Sequence, residues 1–149
     1  MASIERVSDV IRLKGHGVYG VGKDASMREA AQAFLDKDVS ALVVFSGDEV
    51  VGVFTKNDLL RQYLKRTDEF ENKTVGQCAT TNFFSTTPDA NLDGLFAEML
   101  RRGVRHVPVF EGKRPIGMIT SLDILVHQKS SVEFENEQLM RYIHGKHYE

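Results

Sequence analysis

A single cysteine among 149 residues can close no disulfide within the chain. Nothing beside Cys78 would depress a thiol pKa, so it reads as a buried or inert thiol. An excess of one charge is also missing. The formal net charge is −2, with acids and bases interspersed, which leaves neither the basic footprint of a nucleic-acid binder nor a membrane-surface helix. No stretch approaches the roughly 18 apolar residues of a membrane span, and residues 1–10 carry charges where a signal peptide needs an apolar run. These readings point to a soluble, cytoplasmic chain with no nucleic-acid or membrane partner. Catalytic chemistry is equally sparse. No Ser-His-Asp or Cys-His arrangement has spacing support, so no catalytic residue is expected. His144 and His147 stand at i, i+3 without a second ligand cluster, so no metal is expected either. The length suits one compact body that buries roughly 68 to 70% of its unfolded surface without a covalent staple.

What the chain does contain is a repeat. Val39-Ser40-Ala41-Leu42-Val43-Val44-Phe45 lies over Val104-Arg105-His106-Val107-Pro108-Val109-Phe110, and Gly52-Val53-Phe54-Thr55-Lys56-Asn57-Asp58 over Gly117-Met118-Ile119-Thr120-Ser121-Leu122-Asp123, each pair 65 positions apart. The register extends upstream, with Asp24-Ala25 over Asp89-Ala90. Function should be sought where the copies meet or differ. Gly15 to Gly20 satisfies G-x-G-x-x-G, but Val18 to Val21 is itself strand-like and the next helix starts only after Ser26, so the dinucleotide context is missing. Gly17 to Lys23 begins a phosphate-loop pattern that fails at Asp24, where a hydroxyl is required.

Each copy reads as strand, helix, two strands and a second helix. Met27, Ala30, Ala31, Phe34 and Leu35 fall at i, i+3, i+4, i+7 and i+8, with Ser26 and Glu29 as a capping box. Ala41 to Phe45 and Val50 to Phe54 are short apolar runs around Ser46-Gly47-Asp48, which predicts a hairpin, and copy two repeats it around Glu111-Gly112-Lys113-Arg114. Apolar strands without alternation predict sheets covered on both faces. The expected division is 1–66 for copy one with a lead-in helix, 67–74 for an acidic linker, 75–129 for copy two and 130–149 for a helical tail. Leu139, Tyr142 and Ile143 make that tail a candidate for packing or dimerisation.

The apolar helix, the S-A-L-V-V or R-H-V-P-V strand, the turn and the G-x-x-T-x-x-D entering a helix together resemble the CBS domain, named for cystathionine β-synthase. The resemblance implies an α+β fold of tandem CBS repeats, each β-α-β-β-α, packed as a pseudo-two-fold pair, sheet against sheet. It also implies adenosyl ligands in the clefts between the repeats, with the motif Asp accepting from both ribose hydroxyls and the Thr assisting. Those positions are Thr55 and Asp58, and Thr120 and Asp123, flanked by Lys56 and Ser121. An ionised carboxylate can accept from two vicinal hydroxyls at once, and such charge-assisted bonds are the stronger class. Thr-x-x-Asp is equally a capping box, and the two roles are compatible.

Family members place basic residues before the Pro-Val strand to meet phosphate, which implicates Arg105 and His106. The matching Ser40 and Ala41 are uncharged and are expected beside the adenine. Lys14 and Tyr19 are expected near the mouth of the same cleft. Because only one copy supplies cationic strand donors, the Asp58 cleft is expected to be the better nucleotide site. The resemblance thus implies a non-enzymatic module that binds AMP, ADP, ATP, NAD(H) or S-adenosylmethionine, forms a homodimer and regulates an unidentified protein in trans. A ligand-free interaction or dimerisation module is the alternative, and an enzyme acting on nucleotides a third possibility.

Overall fold

The computed structural model describes residues 4–15, 17–65 and 67–128. The C-terminal tail, with Leu139, Tyr142, Ile143, His144 and His147, lies outside them. The chain folds as two compact units, one formed by Val18–Phe84, the other joining the segment that ends at Gly17 to the chain from Ser85 onward.

In the first unit the strands β1 (Gly20–Gly22), β2 (Ala41–Ser46) and β3 (Glu49–Thr55) form one sheet in the order β1-β2-β3. β1 runs parallel to β2, and β2 and β3 form an antiparallel hairpin around Gly47, whose φ is 63°. The helix α2 (Met27–Lys37) starts at Ser26, whose hydroxyl accepts the Glu29 N–H at 3.0 Å. Only half of the expected capping box forms, because the Glu29 carboxylate meets the Ser26 hydroxyl, at 3.4 Å, rather than its backbone N–H. Met27, Ala30 and Phe34 pack against Leu42, Val44, Phe54 and Val75 as the core of this unit. Leu35, read as part of the same apolar stripe, is 73% exposed. It lies at the stripe's edge, where a helix turns past the surface it covers. The helices α3 (Lys56–Lys65), α4 (Thr67–Phe70) and α5 (Val75–Cys78) follow, so the stretch expected as a linker begins with a helical turn.

The second unit contains α1 (Val7–Lys14), α6 (Leu92–Arg102), the antiparallel hairpin of β4 (His106–Glu111) and β5 (Arg114–Thr120), and α7 (Ser121–Gln128). Its buried apolar side chains come from α1 (Val7, Val10, Ile11), α6 (Leu92, Leu95, Met99), both strands (Val107, Val109, Ile116, Ile119) and α7 (Ile124). The local architecture repeats closely. Asn91 caps α6 as Ser26 caps α2, and both helices end in a left-handed residue, Asp38 at φ 53° and Gly103 at φ 68°. The register shift between Val44 and Phe45 recurs between Val109 and Phe110. One element is reduced. The counterpart of β1 survives as a single parallel bridge between Thr86 and Val109. In the first unit Lys23 donates its N–H to Phe45 O at 2.8 Å; the position 65 residues on is Pro88, which has no N–H to give.

Division by packing differs from division by sequence, because the lead-ins are exchanged. α1 opens copy one but docks on copy two: Val7 N–H bonds to Ala90 O at 3.0 Å and Ser8 N–H to Pro88 O at 2.9 Å. α5 opens copy two but docks on copy one, with Val75 N–H on Ala25 O and Gly76 N–H on Lys23 O, both at 2.8 Å. Glycine in the last strand of each hairpin admits these helices. A Cβ at Gly117 would stand 2.7 Å from Ile11 Cδ1, and one at Gly52 3.1 Å from Ala79 Cβ.

Candidate ligand-binding site

Each unit turns from strand into helix at its Thr-x-x-Asp motif, and the turn is locked by reciprocal hydrogen bonds. At the end of β3, Thr55 N–H donates to Asp58 Oδ2 at 2.9 Å while Asp58 N–H donates to Thr55 Oγ1 at 3.1 Å. At the end of β5, Thr120 N–H donates to Asp123 Oδ2 at 2.9 Å and Asp123 N–H to Thr120 Oγ1 at 3.0 Å. Both boxes satisfy orphan donors of a helix first turn and set a negative charge at its N-terminus. They also fix the orientation of the carboxylates, whose side chains are 19% and 21% exposed.

The strand-start residues lie against these turns. Lys56 N–H donates to Ser40 O at 3.0 Å, and Ala41 pairs in register with Thr55. Correspondingly, Ser121 N–H donates to Arg105 O at 3.1 Å, and His106 pairs with Thr120. The first unit therefore gathers Ser40, Ala41, Thr55, Lys56 and Asp58. The second gathers Arg105, His106, Thr120, Ser121 and Asp123. Lys14 and Tyr19 fall in different units. Tyr19 gives its carbonyl to Val43 N–H at 3.0 Å and lies under the Lys37 ammonium, 5.7 Å from the ring centre. Lys14, at the end of α1, places Nζ 2.6 Å from both Asp123 Oδ2 and Met118 O.

The two carboxylates are thus neutralised differently. Asp58 Oδ1 meets Arg61 of its own helix at 3.2 Å, a pair whose guanidinium side is 67% exposed. Spacing of i, i+3 on a helix could have signalled that pair. Asp123 meets a lysine from 109 positions earlier, for which local pattern gives no signal. Burial holds the His106 imidazole below its ordinary pKa, the Lys14 and Arg105 charges depress it further, and Asp123 opposes them. The shift favours the neutral imidazole, which can donate one hydrogen bond while accepting another. Burial pushes the Cys78 thiol above its ordinary pKa; Lys73 and Lys65 oppose this, and the Asp58 charge adds to it.

The family model of the CBS domain matches residues 7–65 and again 75–130. The chain belongs to the CBS domain family. Among curated relatives, the CBS domain-containing protein CBSX3 of Arabidopsis thaliana, a mitochondrial protein, is 27% identical over 93% of this chain and 72% of its own length. An uncharacterised protein of Methanocaldococcus jannaschii is 30% identical over 78% of this chain, which spans only 41% of that relative. Among solved structures, a CBS-domain protein of Agrobacterium tumefaciens superposes with a TM-score of 0.81 at 29% identity, over 87% of this chain and 97% of its own. The CBS domain pair of protein MJ0100, solved in complex with 5′-methylthioadenosine and S-adenosyl-L-methionine, shares the fold with a TM-score of 0.66 at 22% identity, over 80% of this chain and 95% of its own. The α+β tandem architecture read from the repeat is therefore that of a CBS pair. Among the described residues, no helix is long and apolar enough to cross a membrane.

Proposed function

We propose that this CBS pair is a non-enzymatic regulatory module that binds an adenosine-containing nucleotide, of the AMP, ADP, ATP or NAD(H) class, and reports its occupancy to a partner protein in trans. The observation that carries this reading is the duplicated, part-buried carboxylate, Asp58 and Asp123, each oriented by its own Thr through two hydrogen bonds. A fixed carboxylate is a suitable acceptor for a ribose diol, because its orientation is settled before the ligand arrives. In the second unit Arg105 and His106, beside Ser121, would supply donors to phosphate; in the first, Ser40, Ala41, Lys56 and Tyr19 would line a ligand held at Asp58. The ligands of the MJ0100 pair support the adenosyl part of this reading. Occupancy becomes a signal only where the ligand favours one arrangement of the module over another.

A homodimer belongs to the same proposal. α2 exposes Leu35, α3 exposes Leu60 and Leu64, and in the other unit α6 exposes Leu100, apolar surface that a closed two-fold assembly would cover. Native mass spectrometry of freshly purified protein reads both ligand mass and oligomeric state. A nucleotide-sized adduct on a dimer is expected, and monomeric protein that takes up no adenosyl compound at millimolar concentration refutes the reading. Of the two ends, Asp58 is expected to bind more tightly, as the unequal strand starts of the two copies, Ser40-Ala41 and Arg105-His106, imply. Asp58→Asn should abolish the tighter event in a titration with AMP, ATP or NADH, and Asp123→Asn should spare it. The ligand-free interaction module draws on one specific observation, the engagement of both carboxylates in caps and ion pairs; it expects both substitutions to change stability and neither to change affinity.

A further inference from the structure

The two lead-in helices begin alike and end differently. Val7 and Val75 occupy matching places, each donating its N–H to the alanine before a helix cap, Ala90 or Ala25. α5 then stops at Cys78 after one turn, whereas α1 continues through a second turn to Lys14. That extra turn delivers an ammonium onto Asp123 Oδ2, the oxygen that also accepts the Thr120 N–H. Asp58 receives no such cation from α5; its partner is Arg61 of α3.

A ribose diol bound to both oxygens of Asp123 must displace Lys14 from Oδ2. The displaced ammonium keeps the Met118 carbonyl, 2.6 Å away, but loses its counter-charge in a side chain 34% exposed, with the Arg105 charge and the His106 ring nearby, so an incoming anion restores the pairing. We propose that Lys14 is the specificity-determining residue of the Asp123 end: it disfavours neutral nucleosides and favours phosphorylated adenosyl ligands, because a phosphate can take over the ammonium that the ribose expels. The inference rests on the ribose role of Asp123 proposed above. It assigns opposite consequences to one charge. Before binding, Lys14 competes with the ribose; after binding, it holds the phosphate.

The test isolates this end in full-length Asp58→Asn protein and adds Lys14→Met, which keeps most of the apolar stem and removes the charge. Calorimetry with adenosine and with AMP is run on both proteins. AMP affinity should fall about tenfold or more, while adenosine affinity should rise about three- to tenfold, since an ion pair no longer has to be broken. Lys14→Arg in the same background should restore the preference for AMP. A merely structural role for Lys14 moves both ligands in the same direction, and an unchanged ratio of AMP to adenosine affinity overturns the assignment. So does a wild-type protein whose binding vanishes completely with Asp58→Asn, because the ligand is then held at the other end only. Wild-type protein that binds neither compound overturns the nucleotide reading itself.

Discussion

Replacing each motif carboxylate by its amide separates the two ends even without a ligand. In Asp58→Asn and Asp123→Asn the amide oxygen can still accept the Thr N–H, so the cap is largely kept. Both lose a negative charge at a helix N-terminus, a loss of about 0.3 to 1 kcal/mol in each case. The difference lies in the partner. Asp58 loses Arg61, a pair within one helix with a 67% exposed guanidinium, worth about 0.3 to 0.5 kcal/mol. Asp123 loses Lys14, which joins α1 to α7 at 2.6 Å with both side chains about two-thirds or more buried. Such a pair falls between an exposed one and a fully buried one, so a coupling of about 1 to 1.5 kcal/mol is expected. For a chain of this size that is roughly 2 to 6 °C in Tm. The assay is a double-mutant cycle of Lys14→Met, Asp123→Asn and the pair, followed by urea and thermal unfolding. Asp123→Asn should be the more destabilising of the two amide substitutions. A coupling energy below about 0.3 kcal/mol, or an Asp58→Asn loss that equals the Asp123→Asn loss, refutes the argument.

Arg105→Ala should weaken AMP binding about ten- to hundredfold, or 1.5 to 3 kcal/mol, and adenosine binding far less; equal losses in calorimetry would remove the phosphate role. His106 has a folded pKa below its unfolded value of about 6.5, so between the two values the unfolded chain binds more protons. Stability should therefore be fully present above about pH 7 and decline as pH falls through 6.5 towards the folded value. His106→Gln should flatten that part of a urea-midpoint profile against pH, and an identical slope in the variant contradicts the assignment. Asp38 holds the left-handed position that Gly103 fills in the other copy, so Asp38→Gly should stabilise by a few tenths to about 1 kcal/mol. A lowered Tm would show that the Asp38 side chain contributes something besides its backbone.

Local order is where the sequence was most readable. The constant spacing between copies, the caps at Ser26 and Asn91, the hairpins and the Thr-x-x-Asp turns all depend on neighbours a few residues apart, which composition and periodicity encode directly. Periodicity overstated the core at Leu35, because a stripe read at i+8 has already rotated past the buried surface. It anticipated a full first strand in copy two, where one missing N–H, at Pro88, leaves a single bridge. The exchanged lead-ins and the Lys14 contact with Asp123 join positions too far apart for any local pattern to register. For the site, residue types and the cap geometry were legible, whereas which cation answers which carboxylate was decided by tertiary packing.

The exchanged lead-ins also impose an order on synthesis. When residues 1–66 have left the ribosome, copy one is complete by sequence, yet its sheet still lacks α5, and α1 has nothing to dock on. The unit built from Val18–Phe84 can close only once Phe84 has emerged. α1, made before either hairpin, must wait for Pro88, Ala90 and Gly117 to arrive. The gene's duplicated segment is therefore not the segment that folds. A truncation at the boundary between repeats leaves each fragment without a helix carried by the other, while a nascent chain keeps the apolar face of α1, Val7, Val10 and Ile11, uncovered until copy two is nearly complete.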